Sequence, residues 1–181
     1  KSLEQLKEEV LFFIKWRNPD NFSIAGGEPL IHPQILDLVA FMAQQGIKPV
    51  ILSNGVALTP EFLHELKKAG LAGFTMHIDS HQNRPHWEGK SEAEHNRLRQ
   101  HIADMVAAEG GLYLVFNATV YPSTYPEIPD IVRWGQANIE KVQGLVFITY
   151  RTATTSDNIG TDKDDQPVDL SRLSYMRETF D

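Results

Sequence analysis

Apolar residues along this chain recur in two rhythms that take turns from end to end. Leu3, Leu6, Val10, Phe13 and Ile14 follow helical spacing behind Ser2 and Gln5, a pair able to form a capping box. Asn18-Pro19-Asp20 stops that helix. Phe22–Ala25 then reads as a strand. His32-Pro33 is expected to open a second helix with Pro in its first turn, a buried stripe of Ile35, Leu38, Val39 and Met42, and Gly46 at its end. Pro49–Leu52 forms the next strand and runs into Ser53-Asn54-Gly55. Thr59-Pro60 caps a helix carrying Phe62, Leu63 and Leu66, which Gly70 closes. Gly73–Asp79 is a strand. Ser91 and Glu94 make a second capping box ahead of Leu98, Ile102, Met105 and Val106, and Gly110-Gly111 breaks that helix. Leu112–Val120 is a long strand, Glu127–Ile139 a helix, and Leu145–Tyr150 the last strand.

Strands that alternate with helices in this way demand a parallel sheet covered by helices. An open doubly wound sheet and a barrel both satisfy that demand, and strand character separates them. Doubly wound sheets bury both faces, so their strands are almost uniformly apolar. Here Phe74, Met76 and Ile78 alternate with Thr75, His77 and Asp79, while Phe116 and Ala118 alternate with Asn117 and Thr119. A polar row on one strand face fits the lining of a lumen. The expected fold is therefore α/β, a partial (β/α) barrel over residues 1–152. Residues 153–181, rich in Thr, Asp and Gly, read as a C-terminal loop, with a further helix starting near Leu170.

Composition narrows the function classes. A chain of 181 residues with 41% hydrophobic and 23% charged residues matches one ordinary globular domain. A net charge of −7 with scattered basic residues argues against a general nucleic-acid surface. Apolar runs such as Val10–Ile14 are too short to span a membrane, and no signal peptide is visible. The first residue is Lys1, so the expectation is a chain that begins inside a longer protein. There is no cysteine, which excludes disulfides and any thiolate-held metal within these residues.

Candidate chemistry gathers at strand ends. In Asn21-Phe-Ser-Ile-Ala-Gly-Gly-Glu-Pro-Leu30, Gly26 and Gly27 remove two Cβ atoms where a strand finishes, and Pro29 biases Glu28 toward extended backbone. The resulting bare row of carbonyl and N–H groups suits a small polar ligand such as an ammonium; a plain strand-to-helix turn is the alternative. His77, Asp79 and His81 fall on one face if the strand continues, so they read as a metal grip, as polar ligand contacts, or as a buried hydrogen-bonded cluster. Asn117 and Thr119 place unpaired polar groups in an apolar strand, which is costly without partners. The loop Gln82–Gly89 brings Arg84, His86 and Trp87 to the same end, where barrel loops handle substrate. Tyr121, Tyr125 and Arg151 lie at later strand ends.

Gly26-Gly27-Glu28-Pro29 together with Ser53-Asn54-Gly55 resembles the radical S-adenosylmethionine (SAM) enzymes, over roughly Leu3 to Thr152. The resemblance implies that the Gly26–Pro29 backbone binds the amino group of the SAM methionine. It also implies that Ser53, Asn54, Asp79, Ser80 and Asn117 supply polar contacts to the cofactor. Thr149 would sit in the strand whose backbone meets the adenine, and His77, Arg84 and Trp87 would meet substrate. The family's CxxxCxxC loop, which holds a [4Fe–4S] cluster, cannot be present, so no metal ligand is expected within this chain. The loop is expected upstream of Lys1, because in the family it precedes the helix with which this chain opens. What the resemblance then implies is a cytoplasmic enzyme that generates a 5′-deoxyadenosyl radical, inactive as this piece alone. Its reductant would be flavodoxin or ferredoxin, and its substrate an unidentified small molecule or peptide. The alternatives are a cluster-less barrel acting as a binding module and a metal-dependent hydrolase centred on His77, Asp79 and His81.

Overall fold

The computed structural model describes residues 1–82 and 84–150. Five strands, β1 (Asn21–Ile24), β2 (Lys48–Ser53), β3 (Gly73–His77), β4 (Tyr113–Val120) and β5 (Gly144–Thr149), form one sheet in chain order. All four neighbouring pairs are parallel. Helices α2 (Ile35–Gln44), α3 (Pro60–Lys68), α4 (Asn96–Glu109) and α5 (Ile128–Ala137) provide the crossovers, and α1 (Leu3–Arg17) precedes β1. Sequential order with crossovers of one hand places every connecting helix on the same side of the sheet. The sheet is open, the arrangement of a partial barrel, as the alternation of polar and apolar strand positions predicts.

The two sides of the sheet differ accordingly. Ile51, Phe74, Met76, Leu114 and Phe116 are buried with Val39, Met42, Leu63, Leu66 and Ile102 from the helices in one core. Burying each such side chain contributes roughly 1.5–3 kcal/mol. The other side carries Thr75 and His77 on β3, Val115, Asn117 and Thr119 on β4, and Val146 and Ile148 on β5. Register aligns His77 with Asn117 and Asn117 with Val146, while Thr119 aligns with Ile148.

Local signals explain most boundaries. Ser2 and Gln5 make both bonds of their capping box, and Asn18 ends α1 in the left-handed region at φ 44°. Thr59 Oγ1 accepts from Phe62 N at 3.2 Å at the start of α3. Two expectations are corrected. Pro33 does not open α2: Glu28 caps a 3₁₀ turn over Pro29–Ile31, His32 N donates to the Pro29 carbonyl, and the helix starts at Ile35. β3 ends at His77 rather than Asp79, although Ile78 N still donates to the Asn117 carbonyl at 3.0 Å. Ser91 and Glu94 do exchange both capping bonds, but in the turn ahead of α4. Arg151 and the segment expected over 153–181 lie outside the described residues.

Candidate functional site

The C-terminal ends of the strands carry two carboxylate hubs. Glu28 follows β1. Its Oε1 accepts from Leu30 N at 3.0 Å and from Ser53 Oγ at 2.7 Å, and its Oε2 accepts from Asn54 N at 2.8 Å. Ser53 Oγ in turn accepts from Gly55 N at 2.9 Å, and Asn54 Oδ1 from Val56 N at 2.8 Å. Glu28, Ser53 and Asn54 thus brace one strand end against the next. The bare backbone lies just before the hub. Gly26 and Gly27 adopt φ 102° and 55°, and a Cβ built on either would meet nothing within 4 Å. Glycine is needed there for conformation, and the space in front of it is open.

Asp79 is the second hub, 2% exposed. Its Oδ2 accepts from His77 Nε2 at 2.7 Å and from Thr119 N at 3.1 Å, and its Oδ1 from His81 N at 3.0 Å. Burial alone would raise its pKa. The hydrogen bonds from His77, Thr119 and His81, with the field of the imidazole, outweigh that and hold the carboxyl below its ordinary range. Thr119 Oγ1 lies 3.2 Å from the same His77 Nε2.

Arg84 stands between the hubs and is 7% exposed. Its Nη2 donates to the Asn54 carbonyl, to the His77 carbonyl at 3.5 Å and to Gln82 Oε1 at 3.2 Å. Burial pulls its pKa down against the opposing fields of Asp79 and Glu28. Its placement is that of a brace, with the side chain buried among these carbonyls. Trp87 sits against the ring of His95, with centroids 5.2 Å apart, and exposed His86 is held at φ 68°. Thr149 aligns with Val120, which puts it on the helix-side set of positions, apart from Asn117.

His81 does not join His77 and Asp79 as a third ligand. Past the end of β3 its ring stacks on Tyr121 at 3.8 Å between centroids, and Tyr121 lies 4.8 Å from Tyr150. Among the described residues no group of three histidine or acidic side chains could hold a metal ion. The hydrolase reading therefore loses its centre. Tyr121's phenol is pushed up by burial and by the negative fields of Asp79, Tyr150 and Glu92. Tyr125 is exposed in a 3₁₀ turn after β4.

The sequence reading missed a buried ion pair. Arg99 and Glu92, 0% and 1% exposed, are bonded through Nη2 and Oε1. Arg99 also donates to the carbonyls of Ile78 and Glu92 at 2.8 and 3.1 Å, and Glu92 Oε2 accepts from Ser80 N at 2.8 Å. The pair clamps the turn that carries Asp79 and Ser80. A signal was available: Arg99 lies three and seven positions before Ile102 and Val106, on the buried stripe of α4. A cavity of about 380 Å³ opens behind the Gly26–Pro29 turn, lined by Leu6, Ile24, Ile35 and Leu38 among others. Those residues belong to the helix side.

With this geometry in hand, comparison with known proteins gives the class. The profile of the Radical SAM superfamily matches residues 1–135, and the chain belongs to that superfamily. It is an enzyme class, and among curated relatives the chain is 28% identical over 145 residues to the AdoMet-dependent heme synthase of Nitratidesulfovibrio vulgaris. That match covers 74% of this chain and 37% of the relative. It is 37% identical over 79 residues to molybdenum cofactor biosynthesis protein 1 of Bos taurus, covering 40% of this chain and 12% of the relative. The chain thus spans well under half the length of these relatives. The crystal structure of Streptococcus suis SuiB bound to S-adenosylmethionine superimposes with TM-score 0.62 at 20% identity, covering 99% of this chain and 40% of that one. At that identity the likeness shows the shared fold.

Proposed function

We propose that the strand-end mouth is a SAM site in which the Gly26–Pro29 backbone receives the methionine amine. The observation that carries this reading is the bare, left-handed backbone at Gly26-Gly27 with open space before it, braced from behind by Glu28, Ser53 and Asn54. The Asp79-Ser80 turn, clamped by the Arg99–Glu92 pair, offers polar groups to the rest of the cofactor. The residues present fit SAM; they do not fit a [4Fe–4S] cluster, since the chain has no cysteine. Cluster ligands would have to come from outside these 181 residues, and a flavodoxin or ferredoxin in a reducing cytoplasm would supply the electron. Bound SAM and a reduced cluster together supply the family's hydrogen-atom abstraction. This chain's own contribution is to orient the cofactor and keep water from it. The substrate, a small molecule or a peptide, would enter over the same mouth.

The test is titration of S-adenosylhomocysteine into the protein and into Gly27→Ala, with thermal melting of both. Alanine tolerates the left-handed region at a cost of roughly 1–2 kcal/mol and meets no protein atom there, so the variant should stay folded. If ligand lies against that backbone, the added methyl should weaken binding by about tenfold or more. A folded Gly27→Ala protein binding like the parent would remove the Gly26–Pro29 turn from the site. No binding by the parent would overturn the SAM reading of this chain.

A further inference from the structure

Helix α1 carries its largest side chains on the face turned away from the core. Leu3 and Val10 are buried and set the inward face, whereas Phe12 and Trp16, on the opposite side of the helix, are 58% and 66% exposed. Leu11 and Phe13 on their flanks are exposed as well. The rings touch in a line. Phe22 and Phe13 lie 5.2 Å apart between centroids, Phe13 and Phe12 5.7 Å, and Phe12 and Trp16 6.2 Å. Single exposed apolar residues are ordinary, but a contiguous aromatic patch marks an interaction surface. Nothing packed beneath α1 against the sheet could cover Phe12 and Trp16, because they face away from it. Charges of opposite sign flank the patch. Glu8 and Glu9 stand toward the N-terminus of the helix, Lys15 and Arg17 toward its C-terminus. Lys15 Nζ lies 5.7 Å from the Trp16 ring centroid, and neither Glu8 nor Lys15 has an ion-pair partner among the described residues.

We propose that this face of α1 pairs with the same face of a second copy of the chain, the two helices lying antiparallel about a two-fold axis at Phe12. A two-fold interface has to be self-complementary, because the same patch comes from both sides. Antiparallel pairing meets that demand. With Phe12 on the axis, Glu8 of one copy and Lys15 of the other fall on the same side of the contact, within one residue rise (about 1.5 Å) of the same level. Trp16, on the other side, meets the stems of Gln5 and Glu9. A parallel arrangement would instead set acid against acid and base against base. A membrane surface fits less well, since Glu8, Glu9 and a net charge of −7 oppose anionic headgroups. Leu11, Phe12, Phe13 and Trp16 together offer on the order of 400 Å² per copy, about half of the ~800 Å² of a standard interface. The pairing is therefore weak and reversible. α1 leads into β1 at the strand end opposite the mouth, so its C-terminal half lies away from the Gly26–Pro29 turn and both mouths stay open. The inference stands independently of the SAM reading.

The experiment is sedimentation equilibrium over a concentration series, with melting curves to show that each variant is folded. The weight-average mass should climb from 20.5 kDa toward twice that value, with a Kd of about 10–100 μM for an interface below standard size. Trp16→Glu, at an exposed position where folding is not at stake, should weaken pairing about tenfold or more. Glu8→Lys and Lys15→Glu should each weaken self-association by about three- to tenfold, because the two-fold axis repeats the like-charge clash. An equimolar mixture of those two single variants should pair as the parent does, since Lys at position 8 of one then faces Glu at position 15 of the other. A parent that stays monomeric at every concentration overturns the proposal, as does pairing that Trp16→Glu leaves unchanged. A mixture no better paired than its components overturns the antiparallel geometry and with it the proposal. Co-sedimentation of a monomeric parent with phosphatidylcholine–phosphatidylglycerol vesicles, lost in Trp16→Glu, would assign the face to a membrane and overturn it too.

Discussion

The two carboxylate hubs solve the same problem by opposite means. Glu28 and Asp79 each gather donors from the end of a neighbouring strand and so hold adjacent strands level at the mouth. Glu28 itself is half-buried and is anchored by buried Ser53 and Leu30 and half-buried Asn54, while the preceding backbone at Gly26-Gly27 is left exposed. Around Asp79 the carboxylate itself is buried, although its donors His77 and Thr119 are half-buried and His81 is exposed, and a buried ion pair next to it fastens the turn again. One end presents its main chain and the other presents side chains. A ligand that touches both meets a backbone surface whose shape is held by glycine conformation and a side-chain surface whose shape is held by charge. The contrast predicts that damage at the Asp79 end unfolds the protein, while damage at the Glu28 end mainly reshapes the mouth.

The largest test of that contrast removes half of the buried pair. Arg99→Met should cost about 3–5 kcal/mol in urea unfolding, because Glu92 is left as an uncompensated buried charge. Adding Glu92→Leu should recover a large part of the loss. A small effect of Arg99→Met alone would mean that the clamp is not what holds the Asp79 turn.

Asp79→Asn comes next. Replacing a carboxylate that accepts three hydrogen bonds should cost roughly 1.5–3 kcal/mol. The same residue sets a pH dependence. Its folded pKa is depressed, so its contribution is fully present above the unfolded value of about 3.9 and is lost as pH falls from there through the folded pKa. The parent should therefore lose stability on acidification below about pH 4, and Asp79→Asn should lose less over the same interval. Parallel acid slopes for the two proteins would deny Asp79 that role.

Ser53→Ala is the smallest. It deletes the hydroxyl shared between Glu28 and Gly55 N and should cost about 1 kcal/mol by the same measurement. If it costs as much as Asp79→Asn, the two ends are equally structural and the contrast fails.

Much of the fold was legible because its signals are periodic and local. The alternation of Phe74, Met76 and Ile78 with Thr75 and His77 identified both faces of β3, and Gly46 and Gly70 marked helix ends through their positive φ. The start of α2 was misjudged because a carboxylate capping Leu30 N inserted a 3₁₀ turn, a side-chain event with no periodic trace. The site was legible only as a set of strand-end residues. Their partners lie far off in sequence: Ser53 is 25 positions from Glu28, Thr119 is 40 from Asp79, and Arg84 is 30 from Asn54. Spacing does not encode such contacts, so Arg84 reads as an exposed loop cation until the carbonyls it serves are seen. Arg99 differs, since a cation on an apolar helical stripe announces a buried counter-charge.

The sequential strand order also bears on how the chain comes together in time. Every strand pairs with the one made just before it, across separations from 23 positions (Val50 to Gly73) to 40 (Gly73 to Tyr113). Loop-closure entropy grows only with the logarithm of such lengths, so each added strand faces a nearly constant cost. None of the five described strands waits for a distant segment before it can dock. Synthesis from the N-terminus would thus lay down the sheet one crossover at a time, each new edge serving as the template for the next.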